Sequence, residues 1–252
     1  MSEIYQALHL AQQERLTNTN ELNHEPSTAL PKPTITINPQ PTQRFHEDSE
    51  LSALAQNIAT HLPSPHQRVI QFIGSRIGEG TSTLIREFAV VVAQQSSKPV
   101  LLVQAANHQF SQAQTVAFEA TPPLDDALRE EKPLDTVISQ VEQSNLFQAH
   151  LSSHFFRSLT DRSRFHSTDM WKVARNQFSL ILIDSEPIET STDSLAICEF
   201  VNGVVLVIAA EKTRSAVVQN LKREILRREG NLLGIVFTKR KFHIPNAIHK
   251  HL

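Results

Sequence analysis

Glycine, cysteine and tyrosine are scarce in this chain of 252 residues, which carries six, one and one of them. The single cysteine, Cys198, excludes a disulfide framework and fits a reducing compartment. No apolar run reaches the ~18 residues that a membrane span requires. The N-terminus has neither the basic start nor the apolar core of a secretion signal. Charge is nearly balanced, with a formal net of −2, which argues against bulk binding to nucleic acid or to an anionic membrane surface. These absences predict a cytoplasmic protein that reaches a membrane only through a partner, with no nucleic acid expected. Twelve histidines are present, but no Cys/His pattern at zinc spacing accompanies them. A tail carrying His243, His249 and His251 is a poor cage for a metal.

The few glycines are concentrated. Three of the six, Gly74, Gly78 and Gly80, fall in VIQFIGSRIGEGTSTLIREFAVVVA, residues 69–93. The pattern is a buried strand, a glycine turn and a helix. Such a turn lets backbone N–H groups converge on a phosphate, and the helix adds its unpaired N–H groups and positive dipole end. The phosphate-loop pattern G-x-x-x-x-G-K-[ST] asks for lysine and then a hydroxyl after its last glycine. Here Thr81 and Ser82 follow Gly80, so the hydroxyl is present and the lysine is absent. Gly78, Glu79, Gly80, Thr81, Ser82 and Thr83 form a degenerate phosphate-binding loop. The plain alternative is a tight strand–helix turn with no ligand. Arg76 could lend a cation, although a solvated loop arginine is the simpler reading.

Along the chain, residues 1–16 place Ile4, Leu8 and Ala11 on one helical face, as a docking helix or a frayed tail. Residues 17–48 are rich in Thr, Asn, Gln and Pro and read as a disordered tether. A helix follows at about 49–61, with Leu51, Leu54, Ile58 and Leu62 on one face, stopped by Pro63 and Pro65. Strands are predicted at 69–73, 99–103, 145–149, 178–183, within 201–209, and at 233–237. Helices are predicted at 82–95, 124–130, 133–140, 167–176, 192–200 and 213–228, with Trp171 and Val173 half buried and Gly230 ending the last helix. Strands alternating with helices give an α/β fold with a doubly wound, mostly parallel sheet. The domain spans 49–242 and leaves a tail at 243–252. Ligands bind such sheets at the carboxyl ends of the strands, where Gly74–Ser82, Gln104 and Asp184 all lie.

The strand LILIDSEP ends in Asp184, whose carboxylate, with the Ser82 hydroxyl, could hold Mg2+ or its water. Capping of the turn is the alternative role for Asp184. Ser82, Ser185 and Cys198 lack a nucleophile signature such as G-x-S-x-G. The basic run 239–241 with Lys250 reads as a solvated face, or one that meets acidic protein or lipid headgroups.

On these residues the chain resembles the bacterial tyrosine autokinases of polysaccharide export, relatives of the partitioning ATPases with a deviant phosphate loop. IGEGTST with IREFAVVVAQ resembles the family's loop and helix. KPVLLVQAA resembles its second motif, a strand ending Asp-x-Asp, and FSLILIDSEPI its third. PLDDALREEKPLDTVI, VNGVVLVIAAEKTR and LLGIVFTKRKFHIP resemble its middle region and last two strands. The resemblance implies a P-loop NTPase-like domain, ATP or ADP with Mg2+ as cofactor, and a membrane-anchored export or chain-length protein, or a cognate kinase, as partner. Homo- or hetero-oligomers are also in keeping with it.

The chain departs from that pattern where chemistry would occur. Thr81 replaces the loop lysine, and Gln104 and Ala106 replace both aspartates of the second motif, one of which is expected to activate the attacking hydroxyl. The only tyrosine is Tyr5, where the family carries a tyrosine-rich tail. Losing a general base alone costs typically ~10²–10⁴ in rate, and the missing lysine removes a preorganised charge from the same unit. The expectation is an inactive relative, a regulatory or scaffold component of exopolysaccharide synthesis and export with no catalytic residue of its own. The alternatives are a weak Mg–nucleotide switch and a partitioning-type positioning protein.

Overall fold

The computed structural model describes residues 34–35, 48–62, 68–105, 121–130, 132–152, 155 and 171–240. Seven strands and a two-residue edge strand form one sheet. They are β1 (Thr34–Ile35), β2 (Arg68–Gly74), β3 (Val100–Ala105), β4 (Ser139–Val141), β5 (Leu146–His150), β6 (Leu180–Ser185), β7 (Gly203–Ala209) and β8 (Leu232–Thr238). Their order is β1-β4-β5-β3-β6-β2-β7-β8, parallel throughout except for the antiparallel β4–β5 pair. The helices are α1 (Asp48–His61), α2 (Thr81–Gln95), α3 (Leu124–Arg129), α4 (Lys172–Gln177) and α5 (Ser215–Arg227).

The central strands are continuous apolar runs because both faces are covered. On one face Ile70, Phe72, Leu102, Leu182, Val205 and Val207 pack against α1 and α2. Phe88 of α2 meets Phe72 with ring centroids 5.6 Å apart. On the other face Ile73, Val204, Leu206 and Ile208 pack against Leu221 and Ile225 of α5 and against Leu195 and Cys198. Alternate residues of β7 therefore serve opposite layers, as the period of two along a strand requires. This is the doubly wound, P-loop NTPase-like fold read from the sequence.

Several local expectations are corrected. Residues 133–140 do not form an α-helix: Leu134–Thr136 is one 3-10 turn and Ser139–Val141 is β4. Pro133 opens the turn, the Val137 and Ile138 N–H groups both close on Leu134 O, and the two β-branched residues then lead into a strand. The helix expected at 192–200 is present over Thr192–Phe200, with 3-10 geometry. Trp171 is fully buried, at 1% exposure, not half buried. The left-handed residue after α5 is Glu229 (φ 59°) and not Gly230. Gly230 answers to space, since a Cβ there would lie 2.8 Å from Ile225 Cγ2 and 3.0 Å from Cys198 Cβ. Within the stretch read as a tether, Thr34–Ile35 pairs in parallel with Gln140–Val141, and α1 begins at Asp48. The readings on 1–16, Ala106, most of 150–166 and 243–252 lie outside the described residues.

Candidate phosphate-loop site

The loop from Gly74 to Ser82 leaves the carboxyl end of β2 and enters α2. Gly78 (φ 79°) and Gly80 (φ 91°) take left-handed backbone that any side chain would strain. Gly74 is needed for closeness: a Cβ there would stand 2.6 Å from Thr81 Oγ1. Thr81, in the position where the motif has lysine, is thus buried against the end of β2 rather than extended over the loop.

Glu79 turns inward and is 3% exposed. Its carboxylate accepts the N–H groups of Ser75 (2.5 Å) and Arg76 (2.9 Å) and the hydroxyls of Ser75 (2.7 Å) and Thr213 (2.5 Å). Four donors satisfy a buried carboxylate that would otherwise be costly to desolvate. The Thr238 hydroxyl donates to Glu79 O and the Lys239 ammonium to Gly78 O. The loop is therefore braced by the segment entering α5 and by the end of β8. The sequence pattern counts Glu79 among the phosphate-binding residues. Its side chain is committed to the brace, which leaves only its N–H to the loop's interior.

Those interior donors are free. Among the described residues, the N–H groups of Gly78, Glu79, Gly80, Thr81, Ser82 and Thr83 make no hydrogen bond with the chain. They form the row of unpaired donors that a helix entrance offers to an anion. Ser82 Oγ donates to Asp184 Oδ1 at 3.1 Å, so the fold brings together the two candidate Mg2+ residues. Asp184 is 2% exposed. Burial raises its pKa to about 6, with the Arg86 charge and the Ser82 hydrogen bond opposing the rise. Near neutral pH the carboxylate is mostly ionised and able to hold a cation.

Register places Phe72 and Gln104 on either side of Asp184. The neighbour that would be acidic in the second motif is thus a neutral amide. Arg76 is exposed and contributes its N–H to the brace. Ser185 and Cys198 belong to a buried network on Gln71: Gln71 Nε2 donates to Ser185 Oγ (2.8 Å) and Ser194 O (2.7 Å), and the Cys198 thiol to Gln71 Oε1 (3.3 Å). Burial pushes the thiol up to about 12, which removes it as a nucleophile. Among the described residues no group of three or more His, Cys, Asp or Glu stands together to hold a metal. Two cavities of about 340 and 280 Å3 are lined from α1 and β8 and from around Arg68 and Lys98, and touch neither the loop nor Asp184. Motif reasoning missed Thr213, Thr238 and Lys239. The available signal was their place at or just beyond the carboxyl ends of β7 and β8, where such sheets build their sites.

Comparison with known proteins follows the same lines. No family model matches the chain. A 64-residue stretch is 38% identical to the putative tyrosine-protein kinase CapB of Staphylococcus aureus and spans 25% of this chain and 28% of that protein. The chimerical protein CapA2B2 superposes with a TM-score of 0.64 at 20% identity, over 83% of this chain and 93% of that one. The kinase domain of the Escherichia coli tyrosine kinase ETK gives 0.63 at 14% identity, over 84% and 92%. A plasmid partition protein of Borrelia burgdorferi, solved with bound AMPPNP and described as putative, gives 0.52 at 17%, over 74% and 82%. The resemblance read from the motifs is thus matched by a fold shared with tyrosine-kinase domains and a partition protein. No helix among the described residues is long and apolar enough to cross a membrane.

Proposed function

We propose that the protein is a kinase-like P-loop component of exopolysaccharide synthesis and export that acts by binding, as a regulator or scaffold, without efficient phosphoryl transfer. One observation carries this reading: Thr81 is buried against Gly74 where the lysine would reach the phosphates, while Gln104 flanks Asp184 where a carboxylate would serve. The polysaccharide pathway and the partner, a membrane-anchored export or chain-length protein or a cognate kinase, come from the resemblance, since fold alone does not fix function. In this reading 49–242 is the binding domain, 1–48 carries a docking helix on a tether, and the protein is cytoplasmic and peripheral to the membrane through its partner.

A second reading, a weak Mg–nucleotide switch, is favoured by the free N–H row and the Ser82–Asp184 pair. The loop N–H groups would take phosphate oxygens, and Ser82 and Asp184 would hold the ion or its water; the nucleotide would supply the charge that orders a dimer. Calorimetric titration with ATP, with and without Mg2+, separates the two. No binding at millimolar ATP supports the scaffold. Submillimolar Mg2+-dependent binding that disappears in Asp184→Ala overturns it in favour of the switch.

A further inference from the structure

A net charge of −2 for the chain conceals a strong local imbalance. Residues 211–240 hold eight lysines and arginines against three glutamates, and all eight cations are exposed. Most of them lie on or beside α5, which carries two stripes of the same helical period. The inner stripe, Val217, Val218, Leu221 and Ile225, packs on the sheet. The outer stripe, Gln219, Lys222, Arg223, Leu226 and Arg227, follows the i, i+3, i+4, i+7, i+8 spacing and is exposed throughout. It contains no carboxylate. Glu224, at its border, pairs with Arg227 at 2.6 Å, and among the described residues Lys222 and Arg223 have no ion-pair partner.

A large apolar residue stands among these charges, for Leu226 is 52% exposed. On β8, Phe237 is 54% exposed and pairs in register with Ile208, which faces the α5 layer. Cations with isolated apolar tips on the outside of a helix ~20 Å long suit a broad anionic plane with an apolar layer beneath it. Headgroups meet the cations, and the tips reach the acyl boundary.

We propose that the outer face of α5, with Phe237, docks the domain directly on an anionic lipid bilayer. This goes beyond the scaffold reading and does not rest on it, because the exposed stripe of α5 and Phe237 include no residue of the phosphate loop and need no nucleotide.

The test is co-sedimentation of the full chain with phosphatidylcholine vesicles with and without phosphatidylglycerol, at low and high salt. The expected result is binding only to the anionic vesicles, weakened by salt, and reduced about a hundredfold in K222Q/R223Q/R227Q, from the loss of three cations near a charged surface. Leu226→Ser should reduce it roughly fivefold, for the loss of a half-exposed leucine tip. These side chains are exposed, so the variants should retain the wild-type urea midpoint. Equal binding to uncharged vesicles, no binding to either, or a triple variant that binds like wild type overturns the proposal. Equally tight binding of duplex DNA through the same residues also overturns it, and makes this a nucleic-acid face.

Discussion

Thr213 donates its hydroxyl to the carboxylate of Glu79 at 2.5 Å, across 134 residues of sequence. Through it the segment entering α5 holds the phosphate loop from behind, on the same carboxylate that gathers the Ser75 and Arg76 N–H groups. The loop thus has an internal anion to organise its first half. Its second half keeps the free N–H groups of residues 78–83.

Removing that anion should unsettle the loop and the domain together. Glu79→Ala leaves the buried Ser75 N–H, the part-buried Arg76 N–H and two hydroxyls without their acceptor. Unsatisfied buried donors cost about 1–3 kcal/mol each before relaxation, so a net loss of about 2–4 kcal/mol is expected in urea denaturation. Thr213→Val deletes one donor and keeps the volume, and should cost only about 1 kcal/mol. A Glu79→Ala variant as stable as wild type would show that the brace contributes nothing to the fold.

Asp184 predicts an unusual pH dependence. Its folded pKa lies above the ordinary carboxylate value, at about 6 against 3.8. The folded state therefore holds the proton more tightly than the unfolded one. Stability from this group is fully present below pH ~4 and falls as pH rises through ~6, by on the order of 3 kcal/mol. Asp184→Asn, which cannot ionise, should remove that fall and be the more stable protein at pH 7. Urea unfolding of both proteins between pH 4 and 8 measures it. Parallel stability curves would mean that Asp184 titrates like a solvated carboxylate.

Much of this fold was legible because the strong signals are local. The apolar runs of β2, β3, β6 and β7 and the amphipathic periods of α1, α2 and α5 each declare their burial within a dozen residues. The misreadings arose where distant residues decide. Residues 133–140 have a helical look, but β5 offers a strand partner at Gln148 and Phe147, and pairing wins. Gly230 looks like a helix cap, but the crowding that requires glycine comes from Cys198, 32 positions earlier, and from Ile225. At the site, the loop and Asp184 could be read from spacing, whereas the brace could not, because Thr213 and Thr238 meet Glu79 only through the stacking order of β7 and β8 beside β2.

The Gly230 geometry gives a paired test. Gly230→Ala puts a methyl group 2.8 Å from Ile225 Cγ2 and should destabilise by about 1–3 kcal/mol through overpacking. Glu229→Gly relieves a left-handed residue (φ 59°) and should stabilise by about 0.5–1 kcal/mol. Thermal denaturation reads both. The opposite order of effects would indicate that glycine serves this turn by its backbone freedom and not by its small size.

Introducing the charges that the resembled motifs carry tests what the loop and Asp184 can bind. Thr81→Lys places a cation at the entrance of α2 beside six unpaired N–H groups, and should tighten Mg2+-dependent ATP binding at least tenfold in calorimetry, as roughly 1.4 kcal/mol of added phosphate contact would. Gln104→Asp acts differently, because it sets a second carboxylate in register with Asp184. Two like charges in one site raise each other's pKa, so this variant should lose stability toward neutral pH and regain it when Mg2+ is added, as a shift in melting temperature with metal concentration. Combining the two should give the tightest nucleotide binding, since one substitution supplies phosphate charge and the other metal charge. If Thr81→Lys leaves ATP affinity unchanged while the protein stays folded, the loop's N–H groups are not aligned on a phosphate, and loss of the lysine is a consequence of a loop already remodelled around Glu79.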